Sequence, residues 1–251
     1  MPPAVPPLPR PSRVDAAPPM IDKTVPTLAA AVAGIADGST VMVGGFGPSG
    51  TPLELIDALL AQGARELAIV SNHAGNGDTG LAALIAAGRV RKLVCSYPRH
   101  KDSWVFDRLF KAGGIELELV PQGTLAERIR AAGAGIGAFY TPTAYGTELA
   151  RGKETRVIDG RAHVLELPLP ADVALIRADR GDRWGNLVYR MAARNFGPIM
   201  ATAARLAIAQ VREIVPLGAL DPEAIVTPGI FVARVVQAAG AVAGANARTA
   251  A

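Results

Sequence analysis

The stretch Ser39–Leu60, STVMVGGFGPSGTPLELIDALL, limits the possible folds more than any other part of the chain. It reads as a buried strand, a glycine loop and an amphipathic helix. Thr40–Val43 is short, apolar and β-branched, as suits a strand covered on both faces. The loop is Gly44, Gly45, Phe46, Gly47, Pro48, Ser49 and Gly50. Its four glycines in seven residues supply positive φ angles and let a ligand or another backbone come close. Thr51 is placed as the N-cap of the helix, Pro52 at its first position, and Glu54 where a capping box needs it. Leu53, Ile56, Leu59 and Leu60 make one apolar face, and Gly63 follows as the stop.

A strand, a glycine loop and a helix N-terminus offer unpaired N–H groups and a favourable dipole to an anion. Residues 45–50 even spell G-x-G-x-x-G. A dinucleotide site needs more, namely an acidic residue at the end of the second strand to hold the ribose. The second strand, Glu66–Ser71, runs into Ser71, Asn72 and His73, and no carboxylate stands there. The nucleotide reading is therefore rejected. A loop that merely turns the chain is the plain alternative.

The same alternation continues through the first half. Thr27–Ile35 reads as a helix before the organising strand. Helices at Gly80–Ala87, Trp104–Ala112 and Leu125–Ala132 are separated by strands at Lys92–Tyr97 and Ile115–Val120. Strands and helices in this order imply right-handed βαβ units. After about Ala138 the pattern changes. Glu154–Leu167, Asp172–Ala178 and Asn186–Arg190 read as strands joined by turns at Asp159-Gly160 and Trp184-Gly185. Phe196–Ala209 reads as a helix, Arg212–Val215 as a strand, and Val226–Val236 as the last elements. The expected fold is α/β: an open, mainly parallel sheet flanked by helices, with an antiparallel, strand-rich extension in the second half. Residues 20–239 form one domain in this reading. The proline-rich segment 1–19 is expected to be a disordered tail, and 240–251 a loose one.

Composition removes several function classes. A net charge of +4 and 5% aromatics, without a basic run, argue against nucleic acid. No apolar run approaches the roughly 20 residues of a membrane helix. The single cysteine, Cys95, fits a reducing compartment, and the expected location is the cytoplasm. It lies in the apolar strand LVCSY and reads as an inert buried thiol. The three histidines have no metal-ligand spacing, and each reads as a solvated or loop side chain.

GGFGPSGTP resembles the signature of the first of the two polypeptides of family I CoA-transferases. Val70–Gly75 (VSNHAG), Val120–Gly135 (VPQGTLAERIRAAGAG) and Ala192–Phe196 (AARNF) fit the same polypeptide in the same order. The likeness runs from about Met20 to about Val236. VCSYPRHKDSWVFDRLFKAG, GKETRVIDGR and GDRWGNLVYR are most similar to the branch acting on 3-oxoadipate; the acetoacetate branch is the alternative. His73 departs from the asparagine common at its place in that family.

The resemblance implies transfer of CoA from succinyl-CoA to a 3-oxo acid through a glutamyl-CoA thioester. The nucleophilic glutamate of the family belongs to the second polypeptide. Here Glu54 reads as a capping residue, Glu127 as a helix residue beside Arg128, and Glu66, Glu116 and Glu118 as strand-surface charges. The chain is therefore expected to need the other CoA-transferase polypeptide as its partner, in a heterodimer or heterotetramer. No cofactor is expected beyond the CoA carried by the substrates. Gln122, at a strand end, is implied to face the glutamate, as is Asn72; an Asx-turn is the plain reading of Asn72. Gly44–Gly50 corresponds to the segment assigned to CoA, or else packs close to the partner's glutamate. Arg99, His100 and Lys101 form a short cationic loop that reads as a solvated surface turn, with reception of a distal carboxylate as the functional alternative. A stand-alone acyl-CoA-binding module is the alternative from a different class.

Overall fold

The computed structural model describes residues 20–99 and 102–238. Segments 1–19 and 240–251, expected as tails, lie outside them. Seven parallel strands form the main sheet in the order β11-β10-β8-β1-β2-β3-β4. These are β1 (Thr40–Val43), β2 (Leu67–Val70), β3 (Val90–Cys95), β4 (Glu116–Leu119), β8 (Ala171–Asp182), β10 (Ala204–Val215) and β11 (Arg234–Gln237). A two-residue strand, β9 (Leu187–Val188), runs antiparallel to the end of β8. A second, antiparallel sheet pairs β5 (Phe139–Thr141) and β6 (Thr155–Ile158) with β7 (Arg161–Glu166).

The helices cover both faces. Val41 and Val43 of β1 join one core with α1 (Leu28–Val32), α2 (Leu53–Gln62), α3 (Leu81–Ala86) and α4 (Trp104–Lys111). Met42 points the other way. It joins a second core with α5 (Gln122–Gly133) and α6 (Gly197–Ala203). That is the period of two in a strand buried on both sides.

Three expectations are corrected. Segment 172–178 does not belong to an antiparallel extension: as β8 it pairs in parallel with β1 and β10 at the centre of the sheet. The antiparallel sheet is real but smaller, and its β6–β7 hairpin turns at Asp159 and Gly160, both with positive φ. The helix expected over Phe196–Ala209 stops at Ala203. Ala204-Arg-Leu-Ala-Ile-Ala has helical propensity, but pairing on both sides with β8 and β11 overrides it.

The third correction concerns the start of α2. Thr51 is not the cap: its hydroxyl donates to Gly47 O at 2.9 Å. Pro52 stands at the N-cap position without a side-chain cap. Buried Gln210 of β10 takes over, with Oε1 accepting from Leu55 N at 3.2 Å. The Gln210 amide nitrogen donates to Glu54, so Glu54 closes no capping box. Gly63 ends the helix as expected, in the left-handed conformation. Among the described residues, no helix is long and apolar enough to cross a membrane.

Candidate active site

From β1 the chain runs outward through β2, β3 and β4, then returns to β8 on the other side of β1. Such a switch point opens a crevice at the carboxyl ends of the strands. The loops after β1, β2 and β3 and the start of α5 meet there. β8 pairs with β1 only as far as Leu175 and continues to Asp182. Its last seven residues reach roughly 20 Å beyond the edge and form a wall.

The glycine loop is a tight hairpin. Phe46 N donates to Ser49 O at 2.9 Å and Ser49 N to Phe46 O at 3.1 Å, leaving Gly47-Pro48 as the tip. Asn195 clamps it from the neighbouring loop. Its Oδ1 accepts from Gly45 N at 3.1 Å, and its Nδ2 donates to Ser49 O at 3.0 Å. Gly50 has φ +74°, and a Cβ there would lie 2.6 Å from Ala193 O. The sequence suggests a cradle of unpaired N–H groups. Instead, Gly44, Gly45, Phe46 and Ser49 donate to Leu175 O, Asn195 Oδ1, Ser49 O and Phe46 O. The hairpin presents outward Phe46, half exposed, and Pro48.

Asn72 and Gln122 meet. Gln122 Nε2 donates to Asn72 Oδ1 at 2.7 Å, and Ser96 Oγ donates to the same oxygen at 2.8 Å. Asn72 is 4% exposed, so its amide is held by contacts across the sheet edge rather than by its own turn. Gln122, expected at a strand end, is the first residue of α5, with Pro121 at the N-cap position.

His73 is not the solvated side chain that its sequence context suggests; it is 7% exposed. Gly75 N donates to its Nδ1 at 2.9 Å. The proton is thereby placed on Nε2, which faces Gly47 O at 3.3 Å. The hairpin, His73, Asn72 and Gln122 are thus contiguous. Arg99 is not joined to them by a described hydrogen bond or ion pair. Its Nε pairs with Asp107 at 2.7 Å. His100 and Lys101, the rest of the expected cationic loop, lie outside the described residues.

Several of the glutamates are engaged elsewhere. Glu116 and Glu118 hold Lys92, and Arg128 also bonds Glu118 at 2.8 Å. Burial opposes the Glu118 charge, but Arg128 and Lys92 outweigh it and keep the carboxyl below its ordinary range. Glu127 pairs with Arg130, and Glu166 with Lys153. Burial pushes the Cys95 thiol up to about 12, which makes it a poor nucleophile. Among the described residues, no three metal-ligating side chains cluster. Clefts of about 300, 310 and 360 Å³ lie elsewhere, lined by groups that include Arg130 and Phe231, Arg128 and Glu166, and Arg91 and Leu109.

A model of the coenzyme A transferase family matches residues 25–238. The chain belongs to the coenzyme A transferase family. It is 68% identical over 229 residues to the first polypeptide of the 3-oxoadipate CoA-transferase of Pseudomonas putida, covering 91% of this chain and 99% of that one. It is 62% identical to the polypeptide of the same name from Acinetobacter baylyi, covering 86% and 95%. Against the corresponding polypeptide of the succinyl-CoA:3-ketoacid coenzyme A transferase of Xanthomonas campestris it is 54% identical, covering 82% and 85%. Among solved structures, glutaconate coenzyme A-transferase from Acidaminococcus fermentans superposes with a TM-score of 0.75 at 22% identity, over 86% of this chain and 75% of that one, a likeness of fold.

The CoA-transferase chain also uses residues to which the sequence alone assigns no role. Asn195 lies within the AARNF motif, and a lone amide at the start of an apolar helix is the available signal. Ser96 and Gln210 lie in ordinary strand and strand-end sequence, and only the three-dimensional neighbours give them a function.

Proposed function

We propose that this chain is the non-nucleophilic half of a CoA-transferase that moves CoA from succinyl-CoA to 3-oxoadipate, working with a partner polypeptide that carries the glutamate. The two relatives above 60% identity that bear the 3-oxoadipate name support the acceptor. The observation that carries the chemical role is the Gln122–Asn72 bond of 2.7 Å at the carboxyl edge.

The partner's carboxylate attacks the thioester carbonyl. The carbonyl oxygen takes the negative charge, and collapse expels CoA thiolate and leaves a mixed anhydride. The thiolate then attacks the glutamyl carbonyl, forming the glutamyl thioester and releasing succinate. The acceptor carboxylate reverses these steps. Each addition creates an oxyanion. Nε2 of Gln122 has two N–H groups. Asn72 receives one and thereby fixes the amide plane; the other is offered to the oxyanion. A neutral amide suits this task because it does not titrate and its dipole is already oriented. The hairpin approaches CoA through Phe46, Gly47 and Pro48. Its amides are mostly engaged within the protein, so contact through the exposed surface of Phe46 and Pro48 is favoured over a phosphate cradle.

The test is reconstitution of the chain with its partner polypeptide and comparison of 3-oxoadipate with acetoacetate as acceptors of CoA. A higher kcat/KM for 3-oxoadipate is expected; preference for acetoacetate would overturn the assignment of the acceptor. In the same assay Arg99→Ala is expected to raise KM for 3-oxoadipate and spare acetoacetate. An equal effect on both removes Arg99 from the site.

A further inference from the structure

His73 joins two loops that leave different strands. Its backbone lies beside Asn72 at the end of β2, while its ring reaches the tip of the hairpin that follows β1. Gly75 N fixes the ring by donating to Nδ1 at 2.9 Å. Ser71 Oγ holds the backbone by donating to His73 O. With Nδ1 serving as acceptor, Nε2–H points to Gly47 O at 3.3 Å. The same carbonyl receives the Thr51 hydroxyl at 2.9 Å. Gly47 is the hairpin's tip, so these two donors decide where the tip stands relative to the amide pair.

We propose that His73 is a positioning residue: through Gly47 O it sets the glycine hairpin against the Asn72–Gln122 pair, so that the hairpin facing CoA and the amide facing the reacting carbonyl are held as one unit. This rests on the function proposed above. It assigns His73 no proton transfer and no contact with substrate.

The two ring nitrogens do different jobs, and two amides separate them. In His73→Asn the side-chain oxygen falls where Nδ1 stands, so the bond from Gly75 is kept and the reach to Gly47 is lost. In His73→Gln the amide nitrogen falls where Nε2 stands, so the reach to Gly47 is kept. Hydrogen exchange of the peptide spanning residues 44–50, measured on the full chain alone, is expected to quicken about threefold or more in His73→Asn and to stay near wild type in His73→Gln. In the complex with the partner polypeptide, kcat is expected to fall about fivefold in His73→Asn with KM for succinyl-CoA little changed, and to recover in His73→Gln.

Unchanged exchange in His73→Asn would overturn the proposal. So would equal impairment of both variants, or faster exchange with undiminished kcat. A purely structural role would lower the melting temperature without this split between Asn and Gln. The exchange arm needs no turnover. A wild-type complex that transfers no CoA would therefore count against the proposed function, while the link itself would still be decided.

Discussion

In the proposed function, Gln122 is the residue whose change bears most directly on the chemistry. Its side chain is partly exposed and meets Asn72, so truncation leaves a small surface gap rather than a core cavity. Gln122→Ala is expected to lower kcat of the reconstituted enzyme by about 10- to 100-fold, below the largest losses seen for single oxyanion donors. KM for succinyl-CoA should move little, and steady-state kinetics give both numbers. Cys95 is the opposite case. Burial raises its thiol to about 12. In the folded chain it should not react with an aromatic disulfide at neutral pH, and one thiol should appear in denaturant. The sign for stability follows from linkage. The folded pKa lies above the unfolded one, so the contribution is whole below about 9, the ordinary value, and declines as pH rises toward 12. Partly buried Tyr189, whose hydroxyl desolvation also raises to about 12, acts in the same direction. Alkaline titration of unfolding by circular dichroism checks this.

At the scale of elements, the N-terminus of α2 is finished from another part of the chain. Gln210 accepts from Leu55 N and donates to Glu54, and it is 1% exposed. Gln210→Leu keeps similar bulk but leaves that amide and carboxylate without this partner in a buried place. A loss of about 1–3 kcal/mol is expected in urea unfolding; a loss of only a few tenths would mean that the helix start does not depend on β10. This cap is illegible in the sequence because its partner is 155 residues away. The strand–helix alternation of the first half is legible, since periodicity and glycine stops are local signals. The end of α6 is not. Ala204–Ala209 favours helix by itself and becomes strand only because β8 and β11 flank it. The site divides in the same way. Asn72 and Gln122 stand out as polar residues at strand ends. His73 and Asn195 do not, because their importance lies in whose backbone they bond.

The whole molecule is a doubly wound sheet whose carboxyl edge carries amides, a glycine hairpin and a protruding wall. Two carboxylates beside that edge are engaged, Glu54 with Gln210 and Asp107 with Arg99. In the proposed function this surface holds the thioester and stabilises the oxyanion, and the partner polypeptide brings the nucleophile. Division of labour between two chains is therefore the central claim. The most direct measurement is mass spectrometry of both polypeptides after mixing with succinyl-CoA, with hydroxylamine added to cleave any glutamyl thioester. A hydroxylamine-sensitive CoA adduct on the partner polypeptide, and none on this chain with or without that partner, is the expected result. An adduct on this chain alone would contradict it.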